Sequence, residues 1–169
     1  MIHYADLRYC AILGILFLST LLGCDNHARQ KKFSSDKNAL KNIIELDVNA
    51  SAVTWEKFGW PEKSSSELLE ANLDYIILVA EIAPTDKRFF DSLSSGEMAY
   101  IVPGAARRWL SQKSRITLEN RGSTSMDLSR KSDCRPLVVS LKKTGQPAKG
   151  FMCNTGENAV IYLVLASYT

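Results

Sequence analysis

The sequence predicts a single α+β domain built on an antiparallel β-sheet, with two or three short helices. Three runs rich in β-branched, aromatic and other apolar residues close the chain, and short turn-forming sequences separate them. Consecutive runs joined by such turns predict a C-terminal three-stranded meander. Shorter stretches with apolar residues at helical spacing lie earlier in the chain, and they predict the helices.

A helix and a strand are predicted at the start of the body of the chain. Asp36 is a good N-cap, and apolar residues recur at helical spacing after it, so residues 37–46 are predicted to be helical. Near-alternation of β-branched and aromatic residues predicts a strand at 53–58, which Gly59 and Pro61 end. The apolar side of the helix is expected to pack on the core.

The apolar run 75–82 is the best strand pattern of the N-terminal half, and Pro84 stops it. Residues 86–93 then predict a short helix with its apolar side chains on one side. Residues 100–103 predict a short strand that runs directly into a helix at 105–110.

The polar segment 111–130 is predicted to be the longest exposed stretch, with 115–119 as a brief strand or helix inside it. Strands are then predicted at 137–142, 150–153 and 159–166. The last of these is apolar on both faces, so it should be central in the sheet and covered on both sides.

The N-terminal segment contains an apolar run from Cys10 to Leu22, shorter than the ~20 residues that a membrane-spanning helix needs. The run ends in Leu21-Leu22-Gly23-Cys24, which resembles the lipobox of bacterial lipoproteins. In that family the cysteine thiol receives a diacylglyceryl group, and a signal peptidase cuts just before it. The resemblance implies that residues 1–23 are a cleaved signal peptide and that Cys24 carries the lipid.

The resemblance also implies the location of the protein, which is the bacterial cell envelope, anchored in a membrane and facing the periplasm. Residues 24–37 are interpreted as the lipidated cysteine and a flexible polar tether, and residues 38–169 as one globular domain. Asp25 is similar to the inner-membrane retention signal of enteric lipoproteins, or it simply starts the linker. The tether also carries basic residues where anionic headgroups would lie: Arg29, Lys31 and Lys32.

Two cysteines remain for the domain. Of the four in the chain, Cys10 leaves with the signal peptide and Cys24 takes the lipid, so Cys134 and Cys153 have only each other. In an oxidising compartment such a pair predicts one disulfide, and two buried free thiols are the alternative. Neither has a neighbouring His or a C-x-x-C partner, which disfavours metal and thiol-redox roles.

The net charge of +3 divides unevenly along the chain. Residues 25–100 contain nine Lys and Arg against thirteen acids, whereas residues 101–169 contain eleven against four, giving −4 and +7. A basic face in the second half could bind an anionic polymer, but an ordinary solvated surface is favoured because the basic residues are spread out. Aromatic residues are sparse among them, so no nucleic-acid partner is expected.

No complete catalytic or metal-binding motif occurs, and no cofactor is predicted. The fragments Ser34-Ser35-Asp36-Lys37 and Lys143-Thr144-Gly145 match the S-x-x-K and K-T-G motifs of penicillin-binding proteins, but they fall in the predicted tether and a hairpin turn. The mature chain has a single His, His27, which disfavours His-based catalysis. Carboxylate-pair chemistry stays open, and its candidates lie near the ends of predicted elements: Glu81, Asp86, Asp91 and Glu97.

The sequence therefore favours a binding role without enzyme activity, as an accessory, inhibitory or immunity-type lipoprotein that recognises another envelope protein. Trp60, Arg107, Arg108 and Trp109 form the predicted binding surface, because these residue types dominate the energetics of interfaces. The alternatives are a carboxylate-dependent hydrolase of cell-wall or glycan substrates and a module that binds anionic polymers. A concave pocket with two facing acids would favour the hydrolase, and a flat patch around Trp60 and Arg107 would favour the binder.

Overall fold

The computed structural model describes residues 33–62, 74–86, 90, 98–119, 125–127 and 133–167. The signal peptide, the lipidation site Cys24 and the sorting residue Asp25, all of which are predictions, lie outside the described residues. Most of the helix predicted at 86–93 also lies outside them, although Phe90 is helical.

The described elements are two helices and eight strands: α1 (Lys37–Lys41), α2 (Gln112–Leu118), β1 (Ile44–Glu45), β2 (Ala50–Trp60), β3 (Tyr75–Pro84), β4 (Met98–Tyr100), β5 (Ser125–Asp127), β6 (Cys134–Leu141), β7 (Pro147–Asn154) and β8 (Ala159–Ser167). Six strands form a half-barrel sheet in the order β1-β6-β7-β8-β3-β2, and every neighbouring pair is antiparallel. Strands β4 and β5 form a separate antiparallel pair. The predicted α+β class agrees with this mostly antiparallel domain. Neither α1 nor α2 is long and apolar enough to cross a membrane, and these are the helices available in the described ranges.

Alternate residues of the sheet point to opposite faces, and each face has its own apolar core. One core contains Val79, Phe151 and Tyr162, and the other contains Leu78 and Ile161. Strand β8 contributes buried side chains to both cores and lies inside the sheet order. Its position agrees with the prediction from its two-sided apolar pattern.

The segment from Ser34 to Glu45, which we call the bridge, links the two edges of the sheet. Ser34 exchanges two backbone hydrogen bonds with Trp55 on edge strand β2, with N···O distances of 2.7 and 2.8 Å. At the other end Ile44 pairs with Leu141 of β6. Leu40 of α1, 4% exposed, packs between these points on the core that contains Leu78 and Ile161. We call this side of the sheet the bridge face.

The first helix is shorter than predicted. It begins after Asp36, whose carboxylate accepts hydrogen bonds from the backbone amides of Asn38 and Ala39 at 2.8 and 3.0 Å. It ends at Lys41 rather than at residue 46, because the following residues turn and then pair with β6 as strand β1.

Residues 101–119, which we call the strap, cover the other face of the sheet, the strap face. The prediction of a helix at 105–110 is wrong, because these residues form turns after Gly104, which has a φ of +84°. The helix of this region is α2, capped by Ser111, whose Oγ accepts from the backbone N–H of Ser114 at 3.3 Å. The segment predicted to be exposed from residue 111 is only partly so up to the end of α2, since Ser114 and Leu118 are buried while Lys113 and Ile116 are exposed.

The disulfide between Cys134 and Cys153 is confirmed. The two residues are direct partners in the pairing of β6 with β7, and their exposed fractions are 2% and 1%. The bond therefore crosses two neighbouring strands inside the strap-face core.

Candidate functional site

Glu56 is a buried acid on the strap face of β2, with an exposed fraction of 5%. Its Oε1 accepts a hydrogen bond from Nη2 of Arg107 at 2.9 Å, and its Oε2 accepts one from Nε1 of Trp109 at 2.7 Å. A buried carboxylate needs such partners, because desolvation of an unpaired charge is costly. The two contacts fix the strap to β2 on both sides of Arg108.

Arg107 is shared between two acids. Besides Glu56, it binds Glu62 through both guanidinium amines, with Nη2···Oε1 and Nη1···Oε2 distances of 2.7 and 3.0 Å. Its Cζ lies 3.7 Å from the centroid of the Phe58 ring, a cation–π contact. Only 12% of the side chain is exposed, so Arg107 acts as an internal clamp.

Glu81 on β3 holds the other end of the strap. It lies on the same face as Glu56 and diagonal to it, since Thr54 pairs with Glu81 and Glu56 pairs with Val79. Its Oε1 accepts from the hydroxyls of Ser111 and Ser114, each at 2.5 Å. Its Oε2 accepts from the backbone N–H of Ser111 at 3.1 Å, so the first turn of α2 is fixed to β3.

Tyr162 of β8 receives the beginning of the strap. Its ring stacks on Phe151 with centroids 5.2 Å apart, and its hydroxyl oxygen accepts from the backbone N–H of Val102 at 3.1 Å. Burial raises the pKa of Tyr162 to about 12, and the hydrogen bond from Val102 opposes the shift. The phenol is therefore neutral at physiological pH.

The four residues of the predicted binding surface take different positions. Arg107 and Trp109 meet at Glu56, and the Trp109 ring lies 5.7 Å from the Phe33 ring. Trp60, at the end of β2, is half-buried against the strap-face core. Arg108 is exposed. The binding role of this surface stays a prediction.

Sequence reasoning missed Glu56 and its partners. The signal that could have found Glu56 is its position in β2, where it alternates with Phe58 and Trp60 on one face. An acid in line with core aromatics indicates a buried ion pair. Nothing local in the sequence identifies Arg107 as the partner, because it lies 51 residues away.

The acids considered for hydrolysis do not form a facing pair in the described part of the chain. Glu81 is bonded to two serines, and Asp86 is exposed, while Asp91 and Glu97 lie outside the described residues. Two apolar grooves of about 320 and 330 Å³ flank Val48 on the bridge face. Asp86 is the single acid lining the first, and the described lining of the second has none. No group of three His, Cys, Asp or Glu side chains that could hold a metal ion occurs among the residues described.

The strap side of the sheet also carries exposed apolar side chains. Tyr100, Ile116 and Val138 have exposed fractions of 40%, 47% and 61%. Tyr100 directly precedes the strap, and Ile116 lies on the outer side of α2. Val138 follows Cys134 by four residues on β6. Because every second residue of a strand points to the same face, Val138 lies on the strap face with Cys134. With Arg108 these three residues form what we call the strap surface.

The carboxylates on the strap face are thus bonded to groups of the strap, whereas Nε of Arg107 is buried without a hydrogen-bond partner among the described residues. The arrangement suits positioning of the strap rather than acid–base chemistry. The guanidinium of Arg107 is bonded to two carboxylates, and the carboxylate of Glu81 accepts three hydrogen bonds. Comparisons with protein-family models, curated proteins and solved structures find no match to this chain.

Proposed function

We propose that this chain is a lipid-anchored module of the bacterial cell envelope that binds another protein through the strap surface. The observation that carries the proposal is the contrast between the two kinds of side chain on the strap side. The acids Glu56, which is buried, and Glu81, which is half-buried, have internal partners, whereas the side chains of the strap surface are exposed. Exposed apolar and Arg side chains on one side of a domain are typical of protein interfaces.

The anchor rests on the lipobox. A thiol is the group that the lipid transfer requires, and Cys24 follows Gly23 directly after the apolar run. Two or three acyl chains would attach the chain stably, since each buried methylene contributes about 0.8 kcal/mol. Phe33, the first described residue, follows Cys24 by nine residues, and such a length reaches at most about 32 Å. The domain would therefore stay close to the bilayer surface.

The buried clusters support a preorganised surface. Arg107 and Trp109 are both bonded to Glu56, so the backbone on either side of Arg108 is held in place. The bonds from Ser111 and Ser114 to Glu81 hold the first turn of α2, the helix that carries Ile116. A surface fixed before binding loses less conformational entropy when a partner docks. This gives the internal ion pairs a role in recognition without direct contact.

The hydrolase alternative has less support. It needs two carboxylates that face each other across a cleft and stay available to the substrate. Glu81 is bonded to serines, and Glu56 is bonded to Arg107 and Trp109. We therefore propose no enzyme activity and no cofactor for the described part of the chain.

Site-specific photo-crosslinking in intact cells tests the proposal. A photoreactive residue replaces Arg108, Ile116 or Val138 in turn, and matched control proteins carry it at Asn38 or Lys41 of the bridge. The expected result is one discrete protein adduct from the strap positions and none of that adduct from the bridge positions. Lack of any discrete adduct from the strap positions, or the same adduct from both sides, would contradict the proposal. Cys24→Ser serves as the localisation control and should reduce the adduct.

A further inference from the structure

We infer that the outer side of the bridge is a membrane-facing surface that contacts the headgroups of anionic phospholipids. The inference deepens the proposed function, and it rests on the lipid anchor at Cys24. The observations behind it are a row of lysines along the bridge and the point at which the chain leaves the domain.

The lysines follow the bridge from one sheet edge to the other. Lys37 and Lys41 are one helical turn apart on α1, and both are exposed. Lys37 also donates through Nζ to the carbonyl oxygen of Ala50. Lys57 flanks the beginning of the bridge, because it is two residues from Trp55 on the same face of β2. The indole Nε1 of Trp55 in turn donates to the Asp36 carbonyl at 3.0 Å.

Two further lysines flank the end of the bridge. The backbone N–H of Lys142 donates to the carbonyl of Ile43 at 3.0 Å, and Lys143 is the next residue in the turn after β6. Both are exposed. The row thus has five lysines, counting Lys37, Lys41, Lys57, Lys142 and Lys143.

The acids near this row neutralise only part of its charge. Asp36 caps α1, Glu45 binds Lys142 at 2.7 Å, and Asp47 is exposed just after the bridge. Five lysines against these three acids leave a net charge of +2. In the described ranges no acid lies within ion-pair distance of Lys41, Lys57 or Lys143.

The length of chain between the domain and the proposed lipid anchor limits how far the bridge can lie from the membrane. The bridge begins at Ser34, and Phe33 follows the proposed lipidation site Cys24 by nine residues, which limits the distance to about 32 Å. An anionic leaflet attracts lysines within a Debye length of its surface. Because the strap surface lies on the opposite face of the sheet, a bridge resting on the headgroups turns the strap surface away from the bilayer. A partner in the envelope can then reach it.

Vesicle binding by the chain from residue 24 with Cys24→Ser tests the inference without the lipid anchor. Residues 32–169 form one compact unit, so this chain keeps the whole domain. The probes are vesicles that contain phosphatidylglycerol and vesicles of phosphatidylcholine alone, and co-sedimentation gives the partition coefficient. We expect salt-sensitive binding to the phosphatidylglycerol vesicles and much weaker binding to phosphatidylcholine.

Two charge-matched triple variants separate the bridge from the rest of the surface. Lys41→Gln/Lys57→Gln/Lys143→Gln should lower the partition coefficient about 100-fold at low salt, at about 5-fold for each lysine. Arg108→Gln/Lys113→Gln/Lys149→Gln removes the same charge from the strap side and should lower it less than about 3-fold.

Equal losses in the two variants, or binding that does not need phosphatidylglycerol, would overturn the inference. Circular dichroism and the unfolding temperature check that both variants fold. Lipidation is measured separately, as the mass of the N-terminal peptide of the wild-type protein from membranes. Absence of the lipid from that peptide would overturn the proposed anchor at Cys24. Vesicle binding that does not depend on the bridge lysines would overturn only the proposed orientation of the domain on the membrane.

Discussion

The indole Nε1 of Trp109 donates a hydrogen bond of 2.7 Å to Oε2 of Glu56, although the two residues are 53 positions apart in the chain. Glu56 also pairs with Arg107 at 2.9 Å. This contact set connects an edge strand to the strap and fixes the backbone that presents Arg108.

Replacement of Glu56 should destabilise the fold far more than replacement of Glu62. Glu56→Gln removes the charge opposite Arg107 in a site that is 5% exposed, and we expect the free energy of unfolding to fall by about 2–3 kcal/mol. Glu62 is 41% exposed, so Glu62→Gln should cost less than about 1 kcal/mol. Urea denaturation of both variants measures the difference. Equal losses would show that the buried pair does not hold the strap.

Ser114→Ala should loosen α2. The Ser114 hydroxyl is fully buried and donates to Glu81 at 2.5 Å, so we expect a loss of about 1–2 kcal/mol in the free energy of unfolding. Amide hydrogen exchange in α2 should become faster as well. Thr117→Ala is the control, because that hydroxyl bonds only within α2, to the Lys113 carbonyl at 3.0 Å. Equally fast exchange in the control would contradict the anchoring role of Glu81.

The disulfide should be inaccessible in the folded protein and should stabilise it. Both cysteines are buried, so alkylating reagents with a mild reductant should not label Cys134 or Cys153 under native conditions. The double variant Cys134→Ala/Cys153→Ala should lose about 3 kcal/mol, given a sequence separation of 19 residues. Mass spectrometry after alkylation and denaturant unfolding measure the two effects. Ready labelling of the native protein would argue against the buried position.

Stability should fall at alkaline pH because of Tyr162. Its pKa is raised to about 12 in the folded protein from 10.0, so the folded state keeps the phenol proton in a pH range where the unfolded state loses it. The stabilisation is complete below pH ~10 and is lost as the pH rises towards ~12, by about 2–3 kcal/mol in total. The free energies of unfolding of the wild type and Tyr162→Phe should differ by a constant amount below pH ~10, and between pH ~10 and ~12 the wild type should lose stability relative to the variant. Parallel curves would contradict the assignment.

The sequence predicted features that depend on local pattern or on counting. The two-sided apolar run of β8 identifies a central strand, and Cys134 and Cys153 are the pair that remains if the predicted leader and lipidation site take the other two cysteines. The helix at 105–110 failed for a physical reason. Arg107 and Trp109 bond to Glu56, which is more than fifty residues away. The backbone that makes these contacts forms turns, although the local sequence pattern favours a helix.

The same limit applies to the site. The sequence pattern indicates Glu81 as an acid near the end of an element, but its partners Ser111 and Ser114 come from the strap, and no local pattern connects them to Glu81. Residue type alone indicates that Trp60, Arg107 and Trp109 belong to a binding surface. Their half-buried positions depend on how the strap folds back on the sheet, which spacing along the chain does not encode.

The central claim is that a partner binds the strap surface while the lipid holds the domain at the membrane. The most direct test of this claim is to crosslink intact cells, recover the tagged protein and measure which partner proteins come with it. The strap variant Arg108→Glu/Ile116→Glu is compared with the bridge variant Asn38→Glu/Lys41→Glu. All four positions are exposed, so both variants should fold. The account predicts that the strap variant recovers at least about tenfold less of one specific envelope or secreted protein, whereas the bridge variant recovers at least half the wild-type amount. Undiminished recovery by the strap variant, or recovery of no specific protein even by the wild type, would contradict the account.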